Sequence, residues 1–334
     1  MASNNQKLTG KIVCEYLTKF PETPSLTLAK KIYKENKNLF SSQENVRTII
    51  RVYRGKSGNK NRSGMKNNIH YKQEDGSRNP FNLPDSYADD FTPFILNQSR
   101  TLIISDLHFP YQNNEAITKA LQYGLKKKVN CILINGDLID FATISRHEKD
   151  FRNRSVAVEF ESVRQFLRGL RQAFPLARIV WKYGNHCERW EKWLFVKAPE
   201  IFDCTDFQLD VILKLGELKI EVVKGKLPIR IGKLTALHGH ELAGGSGGVN
   251  PARGAFLKTL ESVIIGHFHK TSSNTESTMY GEVISVHSTG CLCGMNPAYM
   301  PINKWNLGAA YVELNIKTGE YHLENFKIIK GKIY

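Results

Sequence analysis

Five short clusters of Asp, Asn and His lie between residues 101 and 290, and each follows a run of apolar, β-prone residues. In chain order they are Asp106-Leu107-His108, Gly136-Asp137-Leu138-Ile139-Asp140, Gly184-Asn185-His186, His238-Gly239-His240 and Gly266-His267-Phe268-His269. Loops at the carboxyl edge of a sheet converge on one place, and residues i and i+2 of an extended segment point the same way. One Asp-x-His or His-x-His alone is ordinarily a pair of solvated surface side chains or a hydrogen-bonded core histidine, but five in order predict a single metal-binding pocket.

The segments around these clusters predict an α/β domain. Predicted strands at 101–105, 131–135 and 179–182 alternate with predicted helices at 114–127 and 156–173. Further strands are expected at 229–237, 262–265 and 283–287, followed by a hairpin of 309–316 with 321–329. The expected fold is a two-sheet β-sandwich flanked by α-helices.

The ordered clusters resemble the signature of the calcineurin-like metallophosphoesterase superfamily, whose blocks are Asp-x-His, Gly-Asp-x-x-Asp, Gly-Asn-His, a His-Gly pair and Gly-His-x-His. All five blocks are present in order across residues 101–290. The resemblance implies a hydrolase acting on phosphoric ester bonds as a phosphatase, phosphodiesterase or nuclease, with two divalent metal ions. By position, it implies one metal held by Asp106, His108 and His269, a second held by Asn185, His238 and His267, and Asp137 bridging them.

Carboxylate, imidazole and amide ligands together suit a borderline divalent metal better than calcium. Mn²⁺ is the expected metal, with Fe, Ni or Zn as alternatives. Two such ions lower the pKa of a bridging water, so that hydroxide attacks the phosphorus directly. The resemblance further implies that His186 stabilises the transition state or protonates the leaving oxygen. Asp140 is a candidate to orient His186, and a helix cap or a loop hydrogen bond is its alternative role.

The sequence departs from the family pattern at two places. The family often has an acidic residue directly after Gly-Asn-His, whereas here Cys187 stands before Glu188, which leaves the role of Glu188 open. In the His-Gly-His cluster, His238 is the expected metal ligand. His240 is expected to lie behind the ligands or to face the substrate.

Basic side chains close to the clusters are candidates for pairing with a phosphate, although structural salt bridges are the alternative for each. These candidate substrate contacts are Arg146, His147, Arg189, His240 and Arg253. The glycine-rich run 244–248 follows the His-Gly-His cluster directly. It predicts either a mobile loop that closes over the substrate or a simple connector.

Positive charge is concentrated near the N-terminus. The chain carries a net charge of +15, and residues 1–70 contain 14 Lys and Arg but four Asp and Glu. Such a surface attracts polyanions such as nucleic acid. Helices predicted at 8–19, 26–36 and 41–54, the last beginning at Ser41 with Glu44 in a capping box, resemble a helix-turn-helix module. Candidate nucleic-acid contacts are Arg47, Arg51 and Arg54; a protein-interaction or structural bundle is the alternative.

The predicted organisation has three parts: a basic helical domain at 1–54, a flexible linker at 55–98 and a catalytic domain at 99–334. Pairing a small basic module with this catalytic domain resembles proteins of phages and integrated elements. The six cysteines are scattered and are expected to be reduced thiols. With no signal peptide or membrane-spanning stretch recognised, a cytoplasmic location without a membrane partner is expected.

The function predicted from the sequence is a dinuclear metal-dependent phosphoesterase acting on nucleic acid or nucleotides, with the basic module recruiting the polymer. Two alternatives stay open. One is a protein or small-molecule phosphatase, in which the N-terminal module contacts proteins. The other is a catalytically silent nucleic-acid-binding regulator.

Overall fold

The computed structural model describes residues 4–56, 70, 91–145, 155–244, 248–298 and 300–334. The chain divides into two compact units, residues 1–89 and 90–334. Most of the predicted linker lies outside the described residues. In the described part of the chain, no helix is long and apolar enough to cross a membrane.

The described part of the first unit contains three helices, α1 (Asn4–Lys19), α2 (Ser25–Glu35) and α3 (Gln43–Tyr53). Their apolar stripes bury a small core that includes Leu17, Ile32 and Ile50. The cap of α3 differs from the prediction by one residue. Ser42, and not Ser41, is the N-cap, because its side chain accepts the Asn45 N–H at 3.0 Å.

Arg54 does not lie on the surface of the three-helix unit, which corrects its prediction as a nucleic-acid contact. The residue is 3% exposed. Its guanidinium donates to Ser25 Oγ at 2.8 Å and to the carbonyls of Pro21 and Thr23 at 3.1 and 2.7 Å. Arg54 therefore ties the end of α3 to the start of α2. Arg51 is exposed and Arg47 is half-buried beside Glu44, so these two remain candidates.

The second unit contains two sheets within its described residues. The seven-stranded sheet has the order β13-β12-β11-β2-β3-β4-β5, with strands at Lys332–Ile333, Tyr321–Ile329, Gly308–Leu314, Arg100–Ile104, Cys131–Asn135, Arg178–Lys182 and Ile220–Val223. The six-stranded sheet has the order β1-β6-β7-β8-β10-β9, with strands at Phe94–Ile95, Ile229–Ile231, Leu234–Leu237, Val263–Ile265, Val283–Ser288 and Ser272–Ser277. The helices are α4 (Asn114–Lys126), α5 (Val156–Ala173), α6 (Glu188–Lys197), α7 (Leu209–Ile212) and α8 (Pro251–Thr259), with 3₁₀ turns at Ala142–Ile144, Pro199–Ile201 and Thr205–Phe207.

Alternating side chains of the central strands explain the layered arrangement. Leu102 and Ile104 of β2 face the core under the helices, whereas Ile103 between them faces the second sheet. Strands β3 and β4 repeat this alternation, and β2 to β5 run parallel. Because both faces of these strands are buried, they form continuous apolar runs. The predicted two-sheet sandwich flanked by helices is confirmed.

Some elements differ from the predictions. The single strand expected at 229–237 is a hairpin of β6 and β7 that turns at Gly232 and Lys233, where Gly232 has a φ of +59°. The polar strand β9 was not expected, because Ser-Ser-Asn-Thr-Glu-Ser shows no apolar alternation. β9 is an edge strand that pairs with β10 alone in the described sheet. Because most of its side chains are exposed, the strand forms without apolar residues.

Candidate active site

The five sequence clusters meet where strands of both sheets end. β2, β3 and β4 run parallel in one sheet, and β7 and β8 run parallel in the other. Their carboxyl ends therefore open onto a common region. The side chains brought there are Asp106 and His108 after β2, Asp137 and Asp140 after β3, Asn185 and His186 after β4, His238 after β7, and His267 and His269 after β8.

One group of buried donors is formed by Asp106, His108 and His269. His269 Nε2 lies 3.2 Å from Asp106 Oδ1 and 3.2 Å from His108 Nε2. The carboxylate of Asp140 lies 2.8 Å from His108 Nδ1. If this contact is a donated N–H, the Nε2 of neutral His108 carries a lone pair aimed at His269. Nitrogen and oxygen lone pairs converging on one point are the arrangement that a cation stabilises.

A second group contains Asp137, His238 and His267, and Asn185 directly follows Gly184, whose backbone lies against Asp137 and His238. His238 Nε2 is 3.0 Å from Asp137 Oδ2, and donor atoms of these two residues and His267 lie within 4.8 Å of one another. Asn185 Oδ1 is buried without a hydrogen-bond partner among the described residues. A buried amide oxygen without a partner is costly, and a metal ion would satisfy it. The donors of both groups therefore fit divalent cations.

Five of these side chains start from strained backbone. Positive φ values occur at Asp106, His108, Asp137, His267 and His269, between 38° and 66°. Such conformations are uncommon outside glycine, and they concentrate at functional sites where the surrounding structure imposes them. The surrounding structure therefore fixes the backbone from which these five side chains project.

Electrostatics keep the two central carboxylates ionised. Burial alone raises the pKa of Asp106, but His269 and His238 outweigh it and hold this pKa well below its ordinary value. Burial also raises the pKa of Asp137, but His238 and His186 outweigh burial and lower this pKa. Burial and then His238 lower the pKa of His267 to about 4. Ionised carboxylates and the neutral His267 are forms that bind metals. Burial lowers the pKa of His238, but Asp137 outweighs burial and raises this pKa to about 10, so metal binding at His238 would release a proton.

His186 and Arg189 form a polar pair at the side of the pocket. His186 Nδ1 lies 2.8 Å from the Asp140 carbonyl and 3.1 Å from its carboxylate, so Asp140 contacts both His186 and His108. Arg189 Nη2 lies 2.9 Å from His186 Nε2, and Arg189 Nη1 donates to the Asp140 carbonyl at 2.9 Å. Of the candidate substrate contacts, Arg189 thus lies beside the pocket.

The other candidates are more varied. His240 Nε2 is 3.0 Å from Glu188 Oε1, so the carboxylate of Glu188 contacts the last histidine of the His-Gly-His cluster. Arg253 is exposed on α8 and is not brought to the donors by any described contact. Arg146 and His147 lie outside the described residues, as does the middle of the glycine-rich run, residues 245–247.

A buried ion pair was missed by the sequence reasoning. Lys182 Nζ lies 2.8 Å from Glu241 Oε1, and both side chains are less than a tenth exposed. Glu241 also accepts the backbone N–H groups of His238 and Gly239 at 3.0 and 2.6 Å. Lys182 ends β4, just before Gly184-Asn185-His186, so the pair joins the two sheets beneath the site. The signal was a Glu directly after His-Gly-His.

Glycine is required before Asn185. A Cβ on Gly184 would collide with Asp137 Oδ1 and approach His238 Nε2 to 2.8 Å. We expect Gly184→Ala to destabilise the protein by roughly 1–3 kcal/mol through overpacking and to weaken metal binding, as measured by thermal unfolding and calorimetric titration. Gly169→Ala is the matched control, because its Cβ meets nothing within 4 Å among the described atoms. Wild-type metal affinity in Gly184→Ala would contradict this reading.

The fold and the pocket define a metal-dependent hydrolase of phosphoric esters. A family model for calcineurin-like phosphoesterases matches residues 99–283, and the chain belongs to this family. The Gene 54 protein of Mycobacterium phage L5 is 26% identical over 194 residues, which cover 54% of this chain and 73% of that protein.

Solved structures give more distant similarities. The match to Vps29 from Cryptosporidium parvum has 16% identity and a TM-score of 0.39, and it covers 71% of this chain and 95% of Vps29. The phosphoesterase YfcE from E. coli is 12% identical, with a TM-score of 0.33, and covers 68% and 98%. The Pseudomonas putida nuclease MPE is 14% identical, with a TM-score of 0.29, and covers 64% and 82%. Similarity at this level carries no functional conclusion.

Proposed function

We propose that this phosphoesterase uses two metal ions and acts on nucleic acid or nucleotides. The observation that supports two ions is the central position of Asp137. Its Oδ2 lies 3.0 Å from His238 Nε2 and 4.0 Å from His108 Nε2, so one carboxylate faces both groups of donors. A carboxylate shared by two donor groups is suited to bridging a metal pair.

Each donor group is proposed to hold one ion, with Asp137 shared. The first ion is assigned to Asp106, His108 and His269, and the second to Asn185, His238 and His267. Mn²⁺ is proposed, with Fe, Ni or Zn as alternatives for the same borderline donor set. When bound, such a pair supplies Lewis acidity and a water of lowered pKa as the nucleophile.

His186 is proposed as the proton donor to the leaving oxygen. If the Asp140 carbonyl accepts its Nδ1–H, Nε2 is the ring atom that exchanges a proton with the substrate. In this structure Arg189 Nη2 lies 2.9 Å from His186 Nε2. A phosphate offers Arg189 two charged acceptors, so substrate binding would draw the guanidinium away and let Nε2 take up a proton from water, which His186 then donates to the leaving oxygen.

The distribution of charge supports a polyanionic substrate. Ten of the fifteen net positive charges fall within residues 1–70. Helix α3 presents Arg51 on its exposed side, and Arg47 beside it is held by Glu44 alone among the described contacts. Lysines and arginines on one module recruit a phosphate backbone independently of its sequence.

Hydrolysis assays test the proposed function. The substrates are p-nitrophenyl phosphate, its bis ester, and labelled single- and double-stranded DNA and RNA, each with Mn²⁺, Ni²⁺, Zn²⁺ or EDTA. We expect metal-dependent nucleic-acid cleavage and two bound metal equivalents per chain. Asp137→Asn is expected to lose both the cleavage activity and the two-metal stoichiometry. If the small esters alone are cleaved, the nucleic-acid assignment is wrong. One equivalent at saturation would exclude the dinuclear centre.

Phosphate contacts by α3 predict a change in salt dependence. In the pair of substitutions Arg47→Ala and Arg51→Ala, we expect weaker binding of all DNA sequences alike, with the slope of log K against log salt reduced by about one per lost contact. Filter binding across a salt series measures this. Lys317→Ala, in an exposed turn of the second unit, is the control. An unchanged slope in the double variant would point instead to a protein-contacting module.

A further inference from the structure

The segment 294–306 borders the candidate active site at both of its ends. Just before it, Leu292 N–H donates to the Asp106 carbonyl at 3.1 Å. At its end, Asn306 N–H donates to the His269 carbonyl at 2.9 Å. The segment, described except for residue 299, therefore leaves the pocket beside one proposed metal ligand and returns beside another.

Two asparagines brace this segment on either side of Trp305. Asn303 Nδ2 donates to the Met295 and Met300 carbonyls at 2.6 and 2.9 Å, while its Oδ1 accepts the Trp305 N–H of the backbone at 3.0 Å. Asn306 Nδ2 donates to Thr271 Oγ1 at 2.7 Å. The backbone of Trp305 is thus positioned by the protein before any ligand arrives, which lowers the entropic cost of binding.

The indole of Trp305 lies directly against the proposed metal site. Its centroid is 4.1 Å from that of the His269 ring, with the planes at 65°. Trp305 is half-buried, and its neighbour Lys304 is exposed. The same segment exposes Ile302 to 93% and Met300 to 44%. A half-buried aromatic ring beside a phosphate-binding site lies within reach of the group esterified to that phosphate.

We propose that Trp305 stacks on the nucleobase adjoining the scissile phosphate, with Lys304 facing the flanking backbone. This inference rests on the proposed nucleic-acid or nucleotide substrate. Stacking on an aromatic ring is available to every base, so Trp305 selects for a nucleoside without reading its identity. It makes Trp305 the part of the site that distinguishes nucleic acid from simple phosphate esters.

Dinucleotides test the proposal, because each contains one scissile phosphate. The substrates are dithymidine monophosphate and its counterpart with base-less deoxyriboses, assayed with wild type, Trp305→Phe, Trp305→Ala and the loop control Ile302→Ala. We expect Trp305→Ala to raise KM for the base-bearing dinucleotide about tenfold. The base-less KM is expected to stay unchanged, and Trp305→Phe to retain most of the affinity. Quenching of a 2-aminopurine dinucleotide measures stacking independently of turnover.

The outcomes separate stacking from a structural role. Equal losses on both dinucleotides, or a lower metal content in Trp305→Ala, would show that Trp305 acts through His269 and would overturn the proposal. If wild type cleaves dinucleotides and Trp305→Ala leaves both KM values unchanged, this inference alone fails. If wild type neither cleaves nor binds a dinucleotide but hydrolyses p-nitrophenyl esters, the nucleic-acid assignment fails with it.

Discussion

Replacement of His186 with alanine is expected to lower kcat for phosphoester hydrolysis by about 10²- to 10⁴-fold, the usual contribution of a positioned general acid. The side chain contacts Asp140 and Arg189 and is partly exposed, with 13% of its surface accessible. Because it is not assigned as a ligand, the variant should keep two metal equivalents. Steady-state kinetics and metal analysis on the same preparation measure both quantities.

The metal content decides between two roles for His186. Its ring also lies in a group with His108 and Asp137 that has donor atoms within 4.8 Å. Parallel loss of metal and activity would therefore make it a ligand and contradict the proton-donor role. His322→Ala is the control, because this exposed histidine lies on β12, away from the five clusters. An ester with a good leaving group such as p-nitrophenolate needs less protonation, so it should suffer a smaller loss.

Replacement of Lys182 with methionine is expected to destabilise the protein by about 3–5 kcal/mol, the cost of leaving a buried charge unpaired. Glu241 would lose its ion pair at 2.8 Å while remaining between the two sheets. Burial raises the pKa of Glu241, but Lys182 and His238 outweigh it and hold this pKa at about 2, so Glu241 is ionised at neutral pH. Thermal and urea unfolding at pH 7 measure the loss.

Two further variants give this prediction its controls. Lys233→Met removes an ion pair to Glu320 in which both side chains are about 60% exposed, and it should cost at most about 1 kcal/mol. Adding Glu241→Gln to Lys182→Met removes the unpaired charge but keeps an acceptor for the His238 and Gly239 N–H groups. It should restore part of the stability. Equal small losses from both lysine changes would mean that water reaches Lys182.

The fold class and the enzyme family are predictable because their signals repeat along the chain. β3 and α5 begin and end where apolar runs and helical periodicity place them. The five clusters follow strands in an order that accident does not explain. Family membership and phosphoester hydrolysis are confirmed, whereas the metal ligands, the substrate and the three-part domain division stay predictions.

The remaining features depend on tertiary partners that a linear pattern does not display. In the sequence Arg54 looks like another surface arginine at the end of α3, yet it is buried and donates to the carbonyls of Pro21 and Thr23. Lys182 continues an apolar strand, and although Glu241 stands out directly after His-Gly-His, the sequence does not show that these two residues, 59 positions apart, form a pair. Trp305 lies 36 residues after His269, and their contact follows from the return of the chain beside the pocket.

The location of the donors on both sheets has a thermodynamic consequence. Asp106, Asp137 and Asn185 follow strands of one sheet, while His238 and His267 follow strands of the other. A cation bound by the proposed ligands would join the two sheets and would bind only while the sheets are packed together. Free metal at 100 times its dissociation constant would then add about 2.7 kcal/mol to the unfolding free energy for each ion. Metal supply would thereby govern how long the folded enzyme persists, as well as how fast it works.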